Sequence, residues 1–487
     1  MEQNPLVKEK LRKLDELRKL GVEPYPYNYN KTHSTDDILS KHSKLNPEEI
    51  TNDIVAVAGR IMTLRDMGKA AFCHIQDEFG KIQIYLRQDQ LKNFNILKLL
   101  DLGDIIGIKG KVFKTKTGEI SVWAEELILL TKSVNPLPEK FHGLKDVETR
   151  YRQRYVDLIT NPEARAIFKI RTAMVKSFRA YLDEKGFLEV ETPTLQPIYG
   201  GANAKPFETF HNELKSKLFL RISNELYLKR LLVGGFEKVY EFVKDFRNEG
   251  IDTTHNPEFT QIEWYMAYAD YNEGMKMFEE VVSKTAKEVL GTTKINYQGK
   301  EIDLEAPWKR MKMVDAIKEY SGLDVEKMSQ QELLKHCKDE GIEYKSDSKG
   351  MLIQAIFEAK CEEHLIQPTF IIDHPIETTP LCKTLRDGNK EFVERFEPYI
   401  NGWEIGNAYS ELNDPVLQKS LLLEQVERGR GGEEETHPMD DDFINAIEYG
   451  MPPTSGVGVG FDRLVMLFTN SASIRDVLLF PLLKPEN

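Results

Sequence analysis

An α+β chain in two parts, a small β-barrel followed by a larger domain of antiparallel strands and helices, is the fold class that the sequence predicts. Three observations predict it. Short strand-like runs crowd the stretch from Ile54 to Leu130. Beyond the two prolines of Val134 to Pro138 the chain turns to long helical periodicities. Among those helices stand two strand signals of unusual composition, a long aromatic hairpin ahead of Asp270 and a strand near the carboxyl end in which every second residue is glycine.

The chain has 487 residues, 40% hydrophobic and 30% charged, which is roughly three domain lengths at ~150 residues each. It has no run of ~18 apolar residues, and its polar amino terminus lacks the apolar stretch of a secretory signal. These features predict no membrane span and a cytoplasmic location. Its four cysteines, Cys73, Cys337, Cys361 and Cys382, form no C-x-x-C pair, which argues against a disulfide framework and against a zinc ribbon. A net charge of -13 disfavours indiscriminate binding to polyanions, so a nucleic-acid partner needs locally basic surface.

In chain order, Asn4 and Pro5 mark a helix start, Leu11, Leu14, Leu17 and Leu20 recur at helical spacing, and Gly21 closes the element. Its other faces carry Lys8, Lys10, Arg12, Lys13, Arg18 and Lys19, either a solvated face or an RNA-facing one. This helix belongs to an extension, residues 1–50, packed with the barrel. The strands IVAVAGRIMTL, AAFCHIQDEFGKIQIYL, DIIGIKGKVFKT and ISVWAEELILL, with turns at Asp77 to Gly80 and Lys116 to Gly118, predict a barrel of oligonucleotide-binding type over 51–135. A barrel alone does not establish nucleic-acid binding. Residues 136–150 read as a linker and 151–487 as the larger domain, with ETRYRQRYVDLI and ARAIFKIRTAMVKSFRAYLDEKGF as its first helices and a helical insertion at about 278–365.

In the hairpin KVYEFVKDFRNEGIDTTHNPEFTQIEWYMAYAD, a period of two places Phe259, Gln261, Glu263 and Tyr265 on one face of the second strand. Arg247 and Glu249 sit where the first strand enters the loop. Such a face can stack a base on Phe259, clamp a phosphate or carboxylate with Arg247, and hold a cation between Glu263 and Tyr265. The alternative is an ordinary hairpin whose charges pair with one another. Asn401-Gly402 is the preferred dipeptide of a two-residue turn and starts a strand at Trp403. Glu404 and Glu411 on that strand would suit magnesium, but their odd spacing requires a bulge or bend, which Gly406 can supply. In PPTSGVGVGFDRLVMLF the alternation of Gly456, Gly458 and Gly460 clears one strand face for a ligand or another backbone. Phe461 stands where a dinucleotide fingerprint needs glycine, and no P-loop sequence occurs. Arg463 follows at the start of an apolar helix, placed to cover a base or phosphate or to form a surface salt bridge. Cys361 and His364, one helical turn apart, read as packing residues. The run Arg428 to Gly432 followed by Glu433 to Glu435 and Asp440 to Asp442 reads as a solvated loop.

Taken together, these segments resemble the class II aminoacyl-tRNA synthetases and, among them, the lysyl-tRNA synthetases, over nearly the whole chain. GFLEVETPTL with Pro193 resembles the first class II motif, FRNEG through HNPEF the second and GVGVGFDR the third. RISNELYLKRLLVGGFEKVYE, NGWEIGNAYSELNDP and RDVLLFPLLKPEN resemble the lysine branch. The resemblance implies a catalytic antiparallel sheet flanked by helices, a homodimer, and lysine activation with ATP and magnesium followed by transfer to tRNA. It implies that Arg247 bridges the lysine carboxylate and the α-phosphate, that Glu249 and His255 contact ATP, and that Phe259 and Arg463 sandwich adenine. Glu404 and Glu411 would hold magnesium. Glu225 and the Gly201 backbone would meet the α-amino group, Glu263 and Tyr265 the ε-ammonium, with Asn407 and Tyr409 completing the pocket. Arg65, Phe72 and Gln83 match anticodon-reading positions of the barrel. Lys205, Trp403 and Leu64 depart from the family pattern, as does ISNEL. The competing readings are a paralogue that lysylates a translation factor, a silent RNA-binding protein on a synthetase fold, and aspartyl or asparaginyl ligation. Neither a membrane nor DNA is an expected partner.

Overall fold

Residues 4–138, 144, 146–430 and 437–486 are described by the structure, a computed structural model, so Glu433 to Glu435 and part of the expected linker lie outside the described residues. The chain divides into two units, residues 1–145 and 146–487.

In the first unit, helix α1 (Pro5–Lys19) starts at Asn4, whose side chain accepts from the Leu6 amide, and buries Leu14 and Leu17. Much of its basic cluster is already committed. Lys10 Nζ donates to the carbonyls of Leu102 and Ser133, Lys13 pairs with Asp101 at 2.6 Å, and Arg12 pairs with Glu9 and Glu16. Helix α2 (Thr35–Lys41) begins with a reciprocal cap between Ser34 and Asp37. Five strands, β1 (Ile50–Asp66), β2 (Ala70–Gln76), β3 (Lys81–Arg87), β4 (Ile105–Lys114) and β5 (Ile120–Thr131), close a barrel in the order β1-β2-β3-β5-β4. Closure is possible because the 17 residues of β1 pair with β4 through their first part and with β2 through their last. Alternation fills the interior with Val57, Ile61, Cys73, Ile75, Ile84, Ile108 and Val122.

In the second unit the expected helix ETRYRQRYVDLI is broken at Gln153 into Val147–Arg152 and Arg154–Thr160. Arg154 explains the break: its buried guanidinium pairs with Asp157 at 2.9 Å and donates to the carbonyls of Arg475, Leu478 and Leu479. Among the described residues a nine-stranded sheet runs in the order Lys309–Lys312, Thr369–Pro375, Phe392–Ile400, Gly406–Ser410, Thr454–Gly460, Glu258–Ala267, Lys238–Phe246, Leu188–Glu189, with Trp403–Glu404 paired to Phe392–Ile400. Its two outermost pairings, one at each edge, are parallel and the rest antiparallel. Helices Pro162–Glu184, Tyr271–Leu290 and Phe461–Thr469 cover one face and share its core through Phe178, Phe278, Phe461 and Leu464, with Ile262, Val457 and Val459 supplied by the strands. On the opposite face helices Glu225–Val233 and Asp441–Glu448 share a second core with Val239, Val393 and Tyr409, and a cavity opens beside them.

The region read as a helical insertion from 278 to 365 divides. The helix through Phe278 starts earlier, at the Asp270 cap, and belongs to the layer under the sheet, where Val281 and Val282 are buried. A hairpin, Lys294–Tyr297 with Lys300–Asp303, and the edge strand Lys309–Lys312 come next. Helices Met313–Ser321, Gln330–Glu340 and Lys349–Lys360 then pack around Ile317, Leu333, Cys337, Ile356 and Cys361. Cys361 is thus a packing residue, and the His364 ring stacks on Tyr320 at 4.9 Å.

Candidate active site

The cleft is a consequence of strand register. Hairpin strands Lys238–Phe246 and Glu258–Ala267 pair antiparallel with Glu241 opposite Glu263 and Asp245 opposite Phe259. Phe259, Gln261, Glu263 and Tyr265 therefore share one face. On the next strand Gln261 faces Gly460, Glu263 faces Gly458 and Tyr265 faces Gly456, so each glycine removes a side chain beside a functional group. Beyond it, Asn407 lies opposite Gly458 and Tyr409 opposite Gly456. The resulting cavity has a volume of about 380 Å³, and every residue expected to bind lysine or ATP lines it.

Gly456 is required sterically as well as for depth. A Cβ on Gly456 would stand 2.1 Å from Glu411 Oε1 and 2.4 Å from a Tyr265 ring carbon, whereas one on Gly458 would meet Glu263 and the Asn407 carbonyl at 3.6 Å.

Asn401 and Gly402 both have positive φ, 57° and 75°, as a two-residue hairpin turn requires. Tyr399 then pairs with Glu404, and further along Phe396 pairs with Ala408, so the register slips by one residue around Ile405. That slip is the bend the spacing demanded. It turns Glu404, Asn407, Tyr409 and Glu411 to the same face.

Glu404 and Glu411 nevertheless do not meet, which corrects the expected magnesium pair. Seven residues of extended chain separate them by about 20 Å at ~3.3 Å per residue, and Glu411 is already engaged: its Oε2 lies 2.5 Å from Lys229 Nζ, with no side-chain exposure on either group. The acid beside Glu404 is Glu397, two residues before Tyr399 on the paired strand. Desolvation lifts the Glu404 carboxyl above its usual range and Glu397 adds to that rise, against the pull of Arg463, Arg395 and Arg247. Glu397 itself pairs with Arg395 and accepts from the Tyr399 hydroxyl at 3.0 Å.

At the amino-acid end, Lys229 Nζ bridges Glu411 and Glu225, 2.5 Å from each. Burial alone would lower its pKa, but the two carboxylates more than offset that and keep it an ammonium. Glu263 has no such counter-ion among the described residues. Its Oε2 accepts from the Tyr265 hydroxyl at 3.3 Å, and the Gln261 amide, turned to satisfy both acids, reaches Glu263 at 3.2 Å and Asp245 at 3.0 Å. Burial first, then Asp245 and Glu225, push the Glu263 carboxyl well above the usual carboxylate range, and burial pushes Asp245 up to about 7. Gly201 at φ 85° closes this end against Ser223 and Glu225.

At the other end, Arg247 makes no ion pair among the described residues. Its guanidinium lies 5.0 Å from the Phe259 ring centroid and its Nε is buried without an acceptor. Arg463, third residue of helix Phe461–Thr469, donates to the Glu404 carbonyl at 2.7 Å and contacts His255 Nε2 at 3.1 Å, while His255 Nδ1 faces Asp252 at 2.8 Å. Thus Arg247 is the cation over Phe259, and Arg463 is tied to the loop and to the Glu404 strand. Glu249 is exposed at the loop base.

In the barrel, Arg65, Phe72 and Tyr85 are aligned across β1, β2 and β3, and Tyr85 pairs in turn with Trp123. Phe72 stacks on Tyr85 at 4.6 Å, outside the core occupied by Ala71 and Cys73 on either side. Arg65 is exposed. Gln83 is held by Glu119 at 2.7 Å and Ser121 at 2.9 Å.

Sequence reasoning missed Glu397, Arg395 and Lys229. The turn at Asn401-Gly402 contained the signal for the first two, since it fixes which residues of the preceding strand face Glu404. Lys229 stands one helical turn after Glu225.

Comparison with known proteins agrees with this geometry. Residues 146–484 match the model of tRNA synthetases class II (D, K and N), and residues 55–130 match that of an OB-fold nucleic acid binding domain. A lysine–tRNA ligase of Pelotomaculum thermopropionicum is 54% identical over 99% of this chain and 96% of its own. Those of Carboxydothermus hydrogenoformans (54%, over 100% and 99%) and Clostridium acetobutylicum (52%, over 99% and 94%) are similar along the same length.

Proposed function

The chain belongs to the class II tRNA synthetases (D, K and N) and has the function of a lysine–tRNA ligase; on that premise we propose how its cleft performs the reaction. The carrying observation is that one cavity holds a guanidinium, Arg247, and a buried carboxylate, Glu263, neither of which has an ion partner among the described residues. A zwitterion with a further ammonium satisfies both.

Lysine enters with its ε-ammonium toward Glu263 and Tyr265 and its α-ammonium toward Glu225 and the Gly201 backbone, and Asn407 and Tyr409 bound the chain between them. Its carboxylate lies at Arg247, which also reaches the α-phosphate of ATP. Phe259 presents a ring face to adenine, and Glu249, His255 and Arg463 serve the nucleotide, Arg463 exchanging its present contacts for the base. A lysine carboxylate oxygen attacks the α-phosphorus in line as the bond to pyrophosphate breaks, giving lysyl-adenylate. A ribose hydroxyl at the tRNA 3′ end then attacks the acyl carbon and AMP leaves. No side chain becomes a covalent nucleophile: Arg247 and Arg463 stabilise developing negative charge and the cleft fixes the approach.

Lysine–tRNA ligases use ATP with magnesium. The neighbouring carboxylates Glu397 and Glu404 would supply the hard oxygen ligands that magnesium prefers, and Glu397 raises the cost of the Glu404 charge. The ion, when bound, screens the phosphate oxygens. The barrel takes the tRNA(Lys) anticodon, Phe72 stacking on an unpaired base, with Arg65 and Gln83 alongside. The protein works as a homodimer in the cytoplasm.

ATP–pyrophosphate exchange without tRNA, run across the twenty amino acids, tests this reading. Exchange with lysine alone supports it; exchange with aspartate or asparagine refutes the pocket assignment.

A further inference from the structure

Glu225, Glu263 and Glu411 line the amino-acid end of the cavity, and one lysine of the chain pairs with two of them. Glu225 begins helix Glu225–Val233 and Lys229 follows one turn later, with the acid on the N-terminal side as the helix favours. From there Lys229 Nζ reaches Glu225 Oε1 and, across the sheet, Glu411 Oε2, each at 2.5 Å. Among the described residues the third acid, Glu263, receives only neutral donors, the Tyr265 hydroxyl and the Gln261 amide. The neighbouring buried arginines are committed: Arg395 pairs with Glu397, and Arg221 pairs with Glu241 at 3.0 Å and lies 3.6 Å from Asp245.

Three carboxylates and one ammonium leave two negative charges to be met. Lysine has two ammonium groups, and its carboxylate goes to Arg247, so each of the three lining carboxylates then has a cation. An amino acid with a single ammonium leaves a buried carboxylate unpaired, and a pocket without Lys229 leaves one unpaired even with lysine bound. Either defect is costly in a site shielded from water.

We propose that Lys229 is a specificity-determining residue of the lysine pocket: by neutralising one charge of the Glu225–Glu411 pair and fixing both side chains, it sets the pocket to receive two ammonium groups. This rests on reading the cleft as the lysine site. Lys229 acts through Glu225 and Glu411 and touches no reacting atom, so it is a positioning residue.

The test uses the full chain and ATP–pyrophosphate exchange. Lys229→Ala raises the KM for lysine by about tenfold or more and leaves the KM for ATP within about twofold, the split expected when only amino-acid binding is lost. n-Propylammonium, which replaces the atoms deleted, lowers that lysine KM again, and sodium chloride at the same ionic strength does not. Lys229→Arg, which keeps the charge, retains more of the wild-type lysine KM than the alanine variant. Where the alanine variant fails to fold, Lys229→Gln takes its place in the KM comparison. An unchanged lysine KM, or parallel losses for lysine and ATP that n-propylammonium does not relieve, overturns the inference while leaving the lysine reading intact. A wild type without lysine-dependent exchange overturns that reading and this inference with it.

Discussion

Replacing Glu263 by glutamine should weaken lysine use and strengthen the empty protein at the same time. The side chain is 6% exposed, lies between Asp245 and Glu225, and has no cation until substrate arrives. In the complex it faces an ammonium, and truncating one member of a buried charge pair costs about 2–4 kcal/mol. At 1.4 kcal/mol per decade, the KM for lysine should rise about 30- to 700-fold. The KM for ATP should stay within about twofold, because Arg247, His255 and Arg463 lie at the other end of the cleft. Stability moves the opposite way. The folded carboxyl holds its proton more tightly than the unfolded one, so its ionisation opposes folding increasingly as pH rises above the unfolded value toward the raised folded one. Glutamine removes that penalty, and without lysine the variant should melt higher than wild type at pH 7.5, by an amount that shrinks toward pH 4. Exchange kinetics against lysine and ATP, with melting curves at both pH values, check both halves. Equal losses for the two substrates, or a lower melting temperature at pH 7.5, would refute the ammonium assignment.

Gly456→Ala should displace Glu411 and Tyr265, since its methyl group would stand 2.1 Å from one and 2.4 Å from the other; lysine KM should rise more than for Gly458→Ala, whose nearest contacts are at 3.6 Å. Phe72→Ala should raise the KM for tRNA(Lys) with ATP–pyrophosphate exchange near wild type, a loss of about 1–3 kcal/mol for one stacked base; impaired exchange would mean that the barrel was misread. Burial first and then Lys229 press His437 down to about 4 from 6.5, so the unfolded chain binds the proton more tightly and stability should fall as pH drops from 6.5 to 4. His437→Gln should flatten that slope in thermal melts, by up to about 3 kcal/mol at 1.36 kcal/mol per unit.

Much of this site was legible because strands write their faces in a period of two. Phe259, Gln261, Glu263 and Tyr265, and the three glycines opposite, could be assigned to a face without knowing which strands were neighbours. The neighbours themselves could not be read. Pairing the glycine strand with both the hairpin and Gly406–Ser410 is a tertiary fact, and it decides that Glu411 belongs with Lys229 and Glu225 while Glu404 belongs with Glu397. Helical periodicity was likewise right about type and incomplete about place. The apolar stripe around Phe278 marked a helix, yet a stripe does not say whether it faces the main sheet or a separate helical cluster. The break at Gln153 escaped because burial of Arg154 depends on carbonyls more than 300 residues away in sequence.

The one-residue slip at Ile405 gives the cleft a parity. Downstream of it, odd-numbered residues look into the cavity and even-numbered ones, Ala408 among them, into the core. Removing a single residue between Trp403 and Asn407 would leave the composition almost untouched yet exchange the two sets, driving an amide, a phenol and a carboxylate into hydrocarbon and offering alanine and serine to the substrate. Substitutions along this strand can therefore adjust the site by degrees, whereas a change in its length by one can only invert it.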